Sequence, residues 1–217
     1  MAQRTNFAAF IERILPIKPS QTSQQQDNST DALPALEYRP LHGSHVGAFS
    51  CGEHEIDKWF LKKALKEHKK FHSRVTVASF ENSSDVVAAY ALSVRLESEK
   101  SLLREEKQHW SPFKNFNNVF VCLNLEYLAV ATKYQRQGVG RIVMGRVLED
   151  FASIAGMSSI QLLTGRAISR DVFNFYEQLG FIKYGADGKQ PFMYLPVQSV
   201  LALIEETHAQ DVAEDMI

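Results

Sequence analysis

The sequence lacks the features of several large protein classes. It has two cysteines in 217 residues, Cys51 and Cys122, which form neither a disulfide framework nor a C-x-x-C zinc pair. No apolar run approaches the roughly 18–20 residues of a membrane helix, and the N-terminus has no secretory signal pattern. The formal net charge is only −1, which excludes a general attraction to nucleic acid or anionic membrane. These absences predict a cytoplasmic protein with no membrane partner.

What the chain does contain fits one globular domain with appendages. Its length is that of a single domain, and its hydrophobic content of 45% is enough for a buried core. Residues 18–34, "KPSQTSQQQDNSTDALP", predict a flexible linker. The preceding "NFAAFIERILPI" predicts a short amphipathic helix that either docks on the domain or is offered to a partner. We predict an N-terminal extension at 1–36, a domain at 37–200 and an acidic tail at 201–217.

Periodicity within the domain predicts an α/β fold. A helix is predicted in "CGEHEIDKWFLKKALKEHKKF", then two adjacent antiparallel strands in "RVTVASF" and "VVAAYALSVRL". Residues 97–118 are charged and irregular, with a short helix near 102–107, and "VFVCLNLEYLAV" is apolar on both faces, as in a central strand. A helix from Gly138 to Ala155, a strand "SSIQLLT", a helix "ISRDVFNFYEQL" and strands "FIKYG" and "PFMYLPV" follow. This order implies a single mixed, mostly antiparallel sheet flanked by helices.

The loop between the central strand and the next helix predicts an anion site. Its sequence is "QRQGVGR", residues 135–141. A helix N-terminus offers unpaired N–H groups and the positive end of a dipole, and Gly138 and Gly140 let a ligand approach the backbone closely. The alternative is that the glycines only make the turn sterically easier and that the loop binds no ligand. Two nucleotide loops are excluded, because no Lys-Ser/Thr follows the second glycine and Val143 replaces the third glycine of a dinucleotide loop.

A third phosphate motif fits this loop. The pattern Q-x-x-G-x-G begins at Gln135, five residues after the strand end "LAV", and "FNFYEQLGF" follows at 173–181. The ordered pair resembles the two signatures of the GNAT superfamily of N-acetyltransferases. The resemblance covers roughly residues 37–200 and implies a GNAT-like fold with acetyl-CoA as co-substrate. The residues that it assigns to coenzyme binding are Leu128, Ala129, Val130, Gln135, Arg136, Gln137, Gly138, Val139, Gly140 and Arg141.

The same resemblance assigns the acid of the reaction. It implies that Tyr176 donates a proton to the departing thiolate, while the alternative is a core tyrosine that packs against Phe181. Asn124 occupies the position where some family members have a carboxylate. Glu126 lies two residues on, on the same strand face, and either substitutes as a base or pairs with an arginine or lysine. An α-amine, with a pKa of about 7.7–8.0, needs a base less than a lysine with a pKa of about 10.4.

Positive charge is concentrated at residues 58–74, "KWFLKKALKEHKKFHSR", which contain six lysines and Arg74 against the single carboxylate Glu67. The segment is either an ordinary solvated face or a surface with affinity for phosphates. His68 and His72 have the i, i+4 spacing of a zinc pair, but no third ligand is near and the lysines repel cations, so we predict no metal. In the phosphate interpretation the binding residues are Lys62, Lys63, Lys66, Lys69, Lys70 and Arg74.

A narrower resemblance concerns the first half of the domain. Phe49, Cys51, Gly52 and Asp57, with the strand "AYALS" at 89–93, resemble the GNAT toxins of bacterial toxin–antitoxin modules. The resemblance implies acetylation of the α-amine of aminoacyl-tRNA and neutralisation by a ribbon-helix-helix antitoxin; a homodimer is expected as well. Two other functions stay open: an N-acetyltransferase for a small amine or protein amine, and a non-catalytic module that binds acyl-CoA or a partner.

Overall fold

The structure is a computed structural model. The described residues are 34–46, 49–99, 102, 104–113, 119–185 and 190–214, with side chains described as far as residue 205. The predicted N-terminal helix and linker fall within residues 1–33 and lie outside this part of the chain. Within the described residues, no helix has both the length and the apolar character to cross a membrane.

Seven strands of the described chain form one sheet. They are β1 (Leu36–Pro40), β2 (Arg74–Phe80), β3 (Ala88–Ser98), β4 (Val119–Val130), β5 (Leu162–Arg166), β6 (Ile182–Tyr184) and β7 (Phe192–Pro196). Their order in the sheet is β1-β2-β3-β4-β5-β7-β6. Only β4 and β5 are parallel, and the other pairs are antiparallel. The predicted single mixed, mostly antiparallel sheet is confirmed, while β1 was not foreseen from the sequence.

The helices cover both faces of this sheet. Helix α1 has three consecutive segments, His54–Trp59, a π-helical turn Phe60–Ala64 and Leu65–Lys69. The others are α2 (Arg104–Trp110), α3 (Val139–Gly156), α4 (Arg170–Gln178) and α5 (Val197–Glu214). Helix α5 begins inside the predicted domain and runs through most of the predicted tail, with Val200 fully buried.

The sheet separates two packed layers. On one face, α3, α4 and α5 bury a core that includes Val143, Phe151 and Leu195. The other face carries two smaller cores. Helix α1 covers the β2–β3 side through Phe60, and α2 covers the β5–β7 side through Trp110. The short helix expected near 102–107 lies at Arg104–Trp110 and covers the sheet, because Trp110 buries its indole against aromatic rings of the sheet.

A bulge in β4 changes which residues face each layer. Opposite β3, Ala91 pairs with Tyr127 and Leu92 pairs with Leu125, so Glu126 is the extra residue of the bulge. An extra residue reverses the alternation of side chains between the two faces. Leu125 and Leu128 accordingly both face the α3 layer, although three positions separate them, and Tyr127 faces α1.

A polar link joins the sheet to α3. The Tyr90 hydroxyl donates to the Asp150 carboxylate at 2.5 Å, and Arg146 pairs with the same carboxylate at 3.0 Å. Burial and the nearby Asp150 charge raise the pKa of Tyr90, so the phenol remains a donor. On β1, by contrast, the buried hydroxyl of Tyr38 has no hydrogen-bond partner in the described chain.

Loss of the Tyr90 hydroxyl is expected to destabilise the fold. We predict that Tyr90→Phe lowers the free energy of unfolding by about 1–3 kcal/mol, because a hydrogen bond to a charged group is lost. Tyr38→Phe is the matched control and should be neutral or slightly stabilising, since it removes a buried hydroxyl that gains nothing from burial. Urea unfolding followed by circular dichroism measures both changes. Equal losses in the two variants would contradict this role of Tyr90.

Candidate active site

Two neighbouring strands separate at the centre of the sheet. The pairing of β4 with β5 ends at Leu125 and Gly165, yet β4 continues to Val130 and β5 ends at Arg166. Beyond Leu125, no strand of the described chain pairs with the β5-facing edge of β4. We call this opening the β4–β5 wedge. The predicted residues Leu128, Ala129 and Val130 form its β4 side, where their backbone N–H and C=O groups can pair with an extended ligand.

The wedge leads into the glycine-bearing loop and the N-terminus of α3. Arg136 and Gly138 have left-handed backbone angles, with φ of 61° and 86°. The first hydrogen bond of the helix runs from the Arg141 N–H to the Gly138 carbonyl at 2.9 Å, so the N–H groups of Val139 and Gly140 have no acceptor within the helix. No described side chain caps this end, and its first turn has no acidic residue. The geometry suits an anion.

The Gln135 side chain holds the loop rather than facing outward. Its Nε2 donates to the Val130 carbonyl at 2.9 Å and to the Cys51 carbonyl at 2.7 Å. Asp57 in turn accepts from the N–H groups of Cys51 at 2.8 Å and Gly52 at 3.3 Å. Burial alone would raise the pKa of Asp57, but these hydrogen bonds, with one from Ser50, lower it. Asp57, which lies on α1, therefore holds the backbone of Cys51, and the carbonyl of Cys51 holds the Gln135 side chain of the loop. The sequence analysis did not predict this role of Asp57.

Tyr176, on α4, lies at the apex of the wedge. The position that a Cβ at Gly165 would occupy is 3.7 Å from the Tyr176 hydroxyl and 3.7 Å from the Leu125 carbonyl oxygen. The Tyr176 ring stacks on Phe181 with a centroid distance of 5.0 Å and is 5% exposed. Burial raises its pKa, which keeps the phenol protonated at neutral pH. The Tyr176 ring thus packs in the core, while its hydroxyl lies at the apex of the wedge.

Polar side chains form a strip across the opposite face of the sheet, between the cores under α1 and α2. Its members are Ser93, Asn124, Glu126 and Thr164. Ser93 Oγ donates to Glu126 Oε1 at 2.7 Å, and the Thr164 hydroxyl contacts the amide oxygen of Asn124 at 3.2 Å. Within the described residues, Ser93 is the partner of Glu126, and no arginine or lysine lies within ion-pair distance of this carboxylate. We call this set the polar strip.

The basic helix borders this strip. The six lysines of α1 and its C-terminal end, including Lys62, Lys63, Lys66, Lys69 and Lys70, are exposed, as is Arg74. No described carboxylate lies within ion-pair distance of them, because Glu67 accepts a hydrogen bond from the Trp59 indole at 2.9 Å. Trp59 stacks on Tyr127, the neighbour of Glu126, with a centroid distance of 4.3 Å. The stack places α1 beside the polar strip.

His68, one of the two histidines with zinc-like spacing, serves the fold. It is buried, and its Nδ1 accepts from the Val75 N–H at 3.0 Å. Burial, and then the charge of Arg74, lowers the pKa of His68, consistent with a neutral ring that accepts from an amide. In the described residues, no three histidine, cysteine or acidic side chains are grouped as metal ligands.

A family model shows the family to which this chain belongs. The model described as "Acetyltransferase (GNAT) domain" matches residues 73–183, which is just over half of the chain and runs from β2 into β6. The chain belongs to the GNAT acetyltransferases. The matched range contains the wedge, the glycine-bearing loop, Tyr176 and the polar strip. Helix α1, with the lysines between residues 58 and 70, lies before the matched range.

Solved structures share the GNAT fold of this chain. A tyrosine-to-phenylalanine variant of KacT is 19% identical, with a TM-score of 0.67 over 77% of this chain and 98% of that one. AtaT complexed with acetyl-methionyl-tRNAfMet is 20% identical, with a TM-score of 0.65 over 78% and 99%. A variant of the toxin AtaT bound to the C-terminus of the antitoxin AtaR and acetyl-CoA is 18% identical, with a TM-score of 0.61 over 78% and 97%. At these identities the likeness shows the fold.

Proposed function

We propose that this GNAT protein transfers the acetyl group of acetyl-CoA to the α-amine of aminoacyl-tRNA and so inhibits translation as a toxin. The observation that carries the proposal is the cationic surface of α1, which borders the polar strip and has no described carboxylate to neutralise it. Such a surface has affinity for phosphates. AtaT, which shares the fold, has been solved with an acetylated aminoacyl-tRNA.

A further feature of the same surface favours unpaired nucleotides. Phe71, at the end of α1, is 77% exposed and has a left-handed backbone with φ of 60°. The Arg74 guanidinium lies over its ring, 4.8 Å from the centroid. An exposed aromatic ring beside cations is a platform on which unpaired bases stack, and a bulky residue at positive φ is rare enough to suggest a functional reason.

The donor side of the site fits a coenzyme with a pyrophosphate. The N–H groups at the start of α3 would hold the pyrophosphate, with Arg136 and Arg141 nearby, and the open edge of β4 would pair with the pantetheine arm. Acetyl-CoA supplies a thioester, whose C–S bond breaks as the C–N bond to the amine forms. The wedge lies between the two faces of the sheet, so the donor and acceptor can approach from opposite sides.

The residues at the wedge can manage the protons of this reaction. The Tyr176 hydroxyl would donate its proton to the departing sulfur. Glu126, which accepts from Ser93, is the carboxylate of the polar strip and would accept the amine's proton directly or through water. An α-amine has a pKa of about 7.7–8.0 and is substantially neutral near pH 7–8. A weak base such as a carboxylate is therefore enough to accept its proton during the transfer.

We propose two protein partners. A ribbon-helix-helix antitoxin would neutralise the protein, as AtaR binds AtaT. A homodimer would extend the cationic surface. Size-exclusion chromatography with light scattering measures the oligomeric state of the protein alone. The same measurement with the product of a neighbouring reading frame shows whether the two proteins form a complex.

Transfer of label from radiolabelled acetyl-CoA to charged tRNA tests the function. The wild type should label the aminoacyl group. Changing Lys62, Lys63, Lys66, Lys69 and Lys70 to glutamine should raise KM for charged tRNA at least about tenfold at physiological salt, because each phosphate contact adds to affinity. The same variant should keep its KM for acetyl-CoA, since α1 is not part of the donor loop.

The outcomes separate the candidate functions. If label appears on a small amine or a protein N-terminus and not on tRNA, the proposed function is wrong. The second candidate, an N-acetyltransferase for a small amine or protein amine, would then take its place. A ligand that binds the folded state raises the melting temperature by mass action. If the protein transfers no label and acetyl-CoA does not raise its melting temperature, a non-catalytic partner-binding module is favoured.

A further inference from the structure

Two backbone carbonyls from a distant segment hold the chain that leads into the glycine-bearing loop. The Ser50 carbonyl accepts from the Thr132 N–H at 3.0 Å and from the Thr132 hydroxyl at 3.2 Å. The Cys51 carbonyl accepts from Gln135 Nε2 at 2.7 Å. Both ends of the turn at 132–135 are thus attached to two consecutive residues that lie more than 80 positions earlier in the chain. We call residues 50–52 the brace.

A single carboxylate organises the brace. Asp57, on the first segment of α1, accepts from the Cys51 N–H at 2.8 Å. It also accepts from the Ser50 hydroxyl at 2.7 Å and from the Gly52 N–H at 3.3 Å. Gly52 has a left-handed backbone with φ of 84°, which glycine adopts without strain. Because the three donors belong to consecutive residues, Asp57 fixes the stretch of backbone that carries the two carbonyls.

The brace keeps the Asp57 charge away from the anion site. A carboxylate at the N-terminus of α3 would take up the N–H groups that suit a pyrophosphate. Here neutral carbonyls contact the turn, and the carboxylate lies behind them. Burial acts to raise the pKa of Asp57, but the hydrogen bonds from residues 50–52 outweigh it and lower the pKa. The carboxylate is thus ionised at neutral pH, and its hydrogen bonds are of the stronger, charge-assisted kind.

Helix α1 is attached to the same segment by an apolar contact. Phe60 packs against Phe49, the residue before the brace, with a centroid distance of 4.7 Å, and both side chains are buried with Cys51 in the core under α1. The position of Asp57 relative to the brace is therefore set by packing as well as by hydrogen bonds. Such support from a rigid element holds a binding site in one geometry before its ligand arrives.

We infer that Asp57 is a positioning residue for acetyl-CoA, which holds the glycine-bearing loop through the brace in the geometry that grips the pyrophosphate. This inference rests on the proposed function, which assigns the pyrophosphate to that loop. Asp57 acts through the Cys51 carbonyl and the Gln135 side chain and not by contact with the coenzyme. A loop that is already held loses less conformational freedom on binding, so loss of the brace should weaken coenzyme affinity.

Asp57→Asn is the main test, because it keeps the size of the side chain and one acceptor oxygen but removes the charge. Its amide nitrogen cannot accept from the brace. We expect the Kd for acetyl-CoA, measured by titration calorimetry, to rise about tenfold, as for one lost hydrogen bond to a charged group. The kcat at saturating acetyl-CoA and the KM for aminoacyl-tRNA should stay within a few-fold of the wild type, because the wedge and the exposed lysines are unchanged.

A double-mutant cycle tests the route from Asp57 to the loop. Gln135→Leu removes the side-chain donor and should also raise the Kd for acetyl-CoA. Because both residues act on one chain of hydrogen bonds, the double variant should raise Kd by less than the product of the single effects. Effects that multiply would show that Asp57 does not act through Gln135. If Asp57→Asn does not fold, Ser50→Ala, which removes one donor at an exposed position, takes its place in the cycle and should raise Kd in the same direction.

Asp150→Asn is the matched control. Asp150 also accepts from a hydroxyl, that of Tyr90 at 2.5 Å, but it lies in the second half of α3, away from the anion site. It should lower the melting temperature and leave the Kd for acetyl-CoA unchanged. If Asp57→Asn raises Kd no more than Asp150→Asn does, the positioning role is wrong while the proposed function stands. A wild type that does not bind acetyl-CoA would overturn the proposed function and the positioning role with it.

Discussion

Tyr176→Phe is expected to lower kcat for acetyl transfer by about 10²- to 10⁴-fold, the usual contribution of a general acid. The hydroxyl lies at the apex of the wedge, beside the last paired residues of β4 and β5. Burial raises the pKa of Tyr176, so the proton is present at neutral and mildly alkaline pH. The ring remains in the variant, and with it the stacking on Phe181, so the fold should be retained.

Single-turnover kinetics with radiolabelled acetyl-CoA, combined with titration calorimetry for coenzyme binding, measure this effect. The rate should fall while the Kd for acetyl-CoA stays within a few-fold of the wild type. Tyr38→Phe is the control, because it removes the same atom from a ring on β1, far from the wedge. In the wild type, deprotonation of Tyr176 should not lower the activity between about pH 7 and pH 9, since a phenol with a raised pKa stays protonated in that range. An unchanged rate in Tyr176→Phe would refute the assignment.

Gly140→Asp should weaken acetyl-CoA binding by at least about 100-fold without unfolding the protein. A carboxylate at this position would lie at the helix N-terminus, take up its N–H groups and repel the pyrophosphate. Charge-assisted hydrogen bonds contribute about 1.5–3 kcal/mol each, so the loss of two exceeds the stated factor. A Cβ at Gly140 would come no closer than 3.7 Å to Val130 Cγ2, an ordinary contact. An aspartate in the first turn also stabilises a helix by about 0.3–1 kcal/mol.

Gly156→Asp is the matched control for this substitution. Gly156 ends the same helix, and a Cβ there would meet nothing within 4 Å. Here aspartate lies at the negative end of the dipole and should cost about 0.3–1 kcal/mol of stability while leaving coenzyme affinity unchanged. Calorimetric titration of acetyl-CoA and thermal melts without ligand separate the two effects. If Gly140→Asp binds acetyl-CoA as tightly as Gly156→Asp, the N-terminus of α3 is not the anion site.

The donor side of the site could be predicted from the sequence because it is contiguous in the chain. The strand end, the loop and the start of α3 occupy residues 128–141, and left-handed glycine geometry and unpaired N–H groups follow from local backbone rules. The order of strands and helices was also accessible through periodicity. β1 was missed because five residues with Pro40 at the end give little strand signal.

The contacts of the polar strip and of Asp57 could not be predicted in this way. Glu126 was placed on the face of Asn124 by simple alternation, but its contact with Ser93 depends on the bulge and on the register of β3 against β4. The link from Asp57 through Cys51 to Gln135 joins segments far apart in the chain. Neither contact has a local pattern in the sequence.

The sequence by itself determined the family, the order of elements and the loop that can hold an anion, since each depends on neighbouring residues. Only the tertiary structure decided which side chains lie beside the wedge on the face of the sheet that α1 covers. Ser93 and Glu126 meet because of the bulge between β3 and β4, and α1 borders the polar strip because Trp59 packs against Tyr127. The physical reason is that strand register and packing between layers are set by long-range contacts, which the local pattern does not encode.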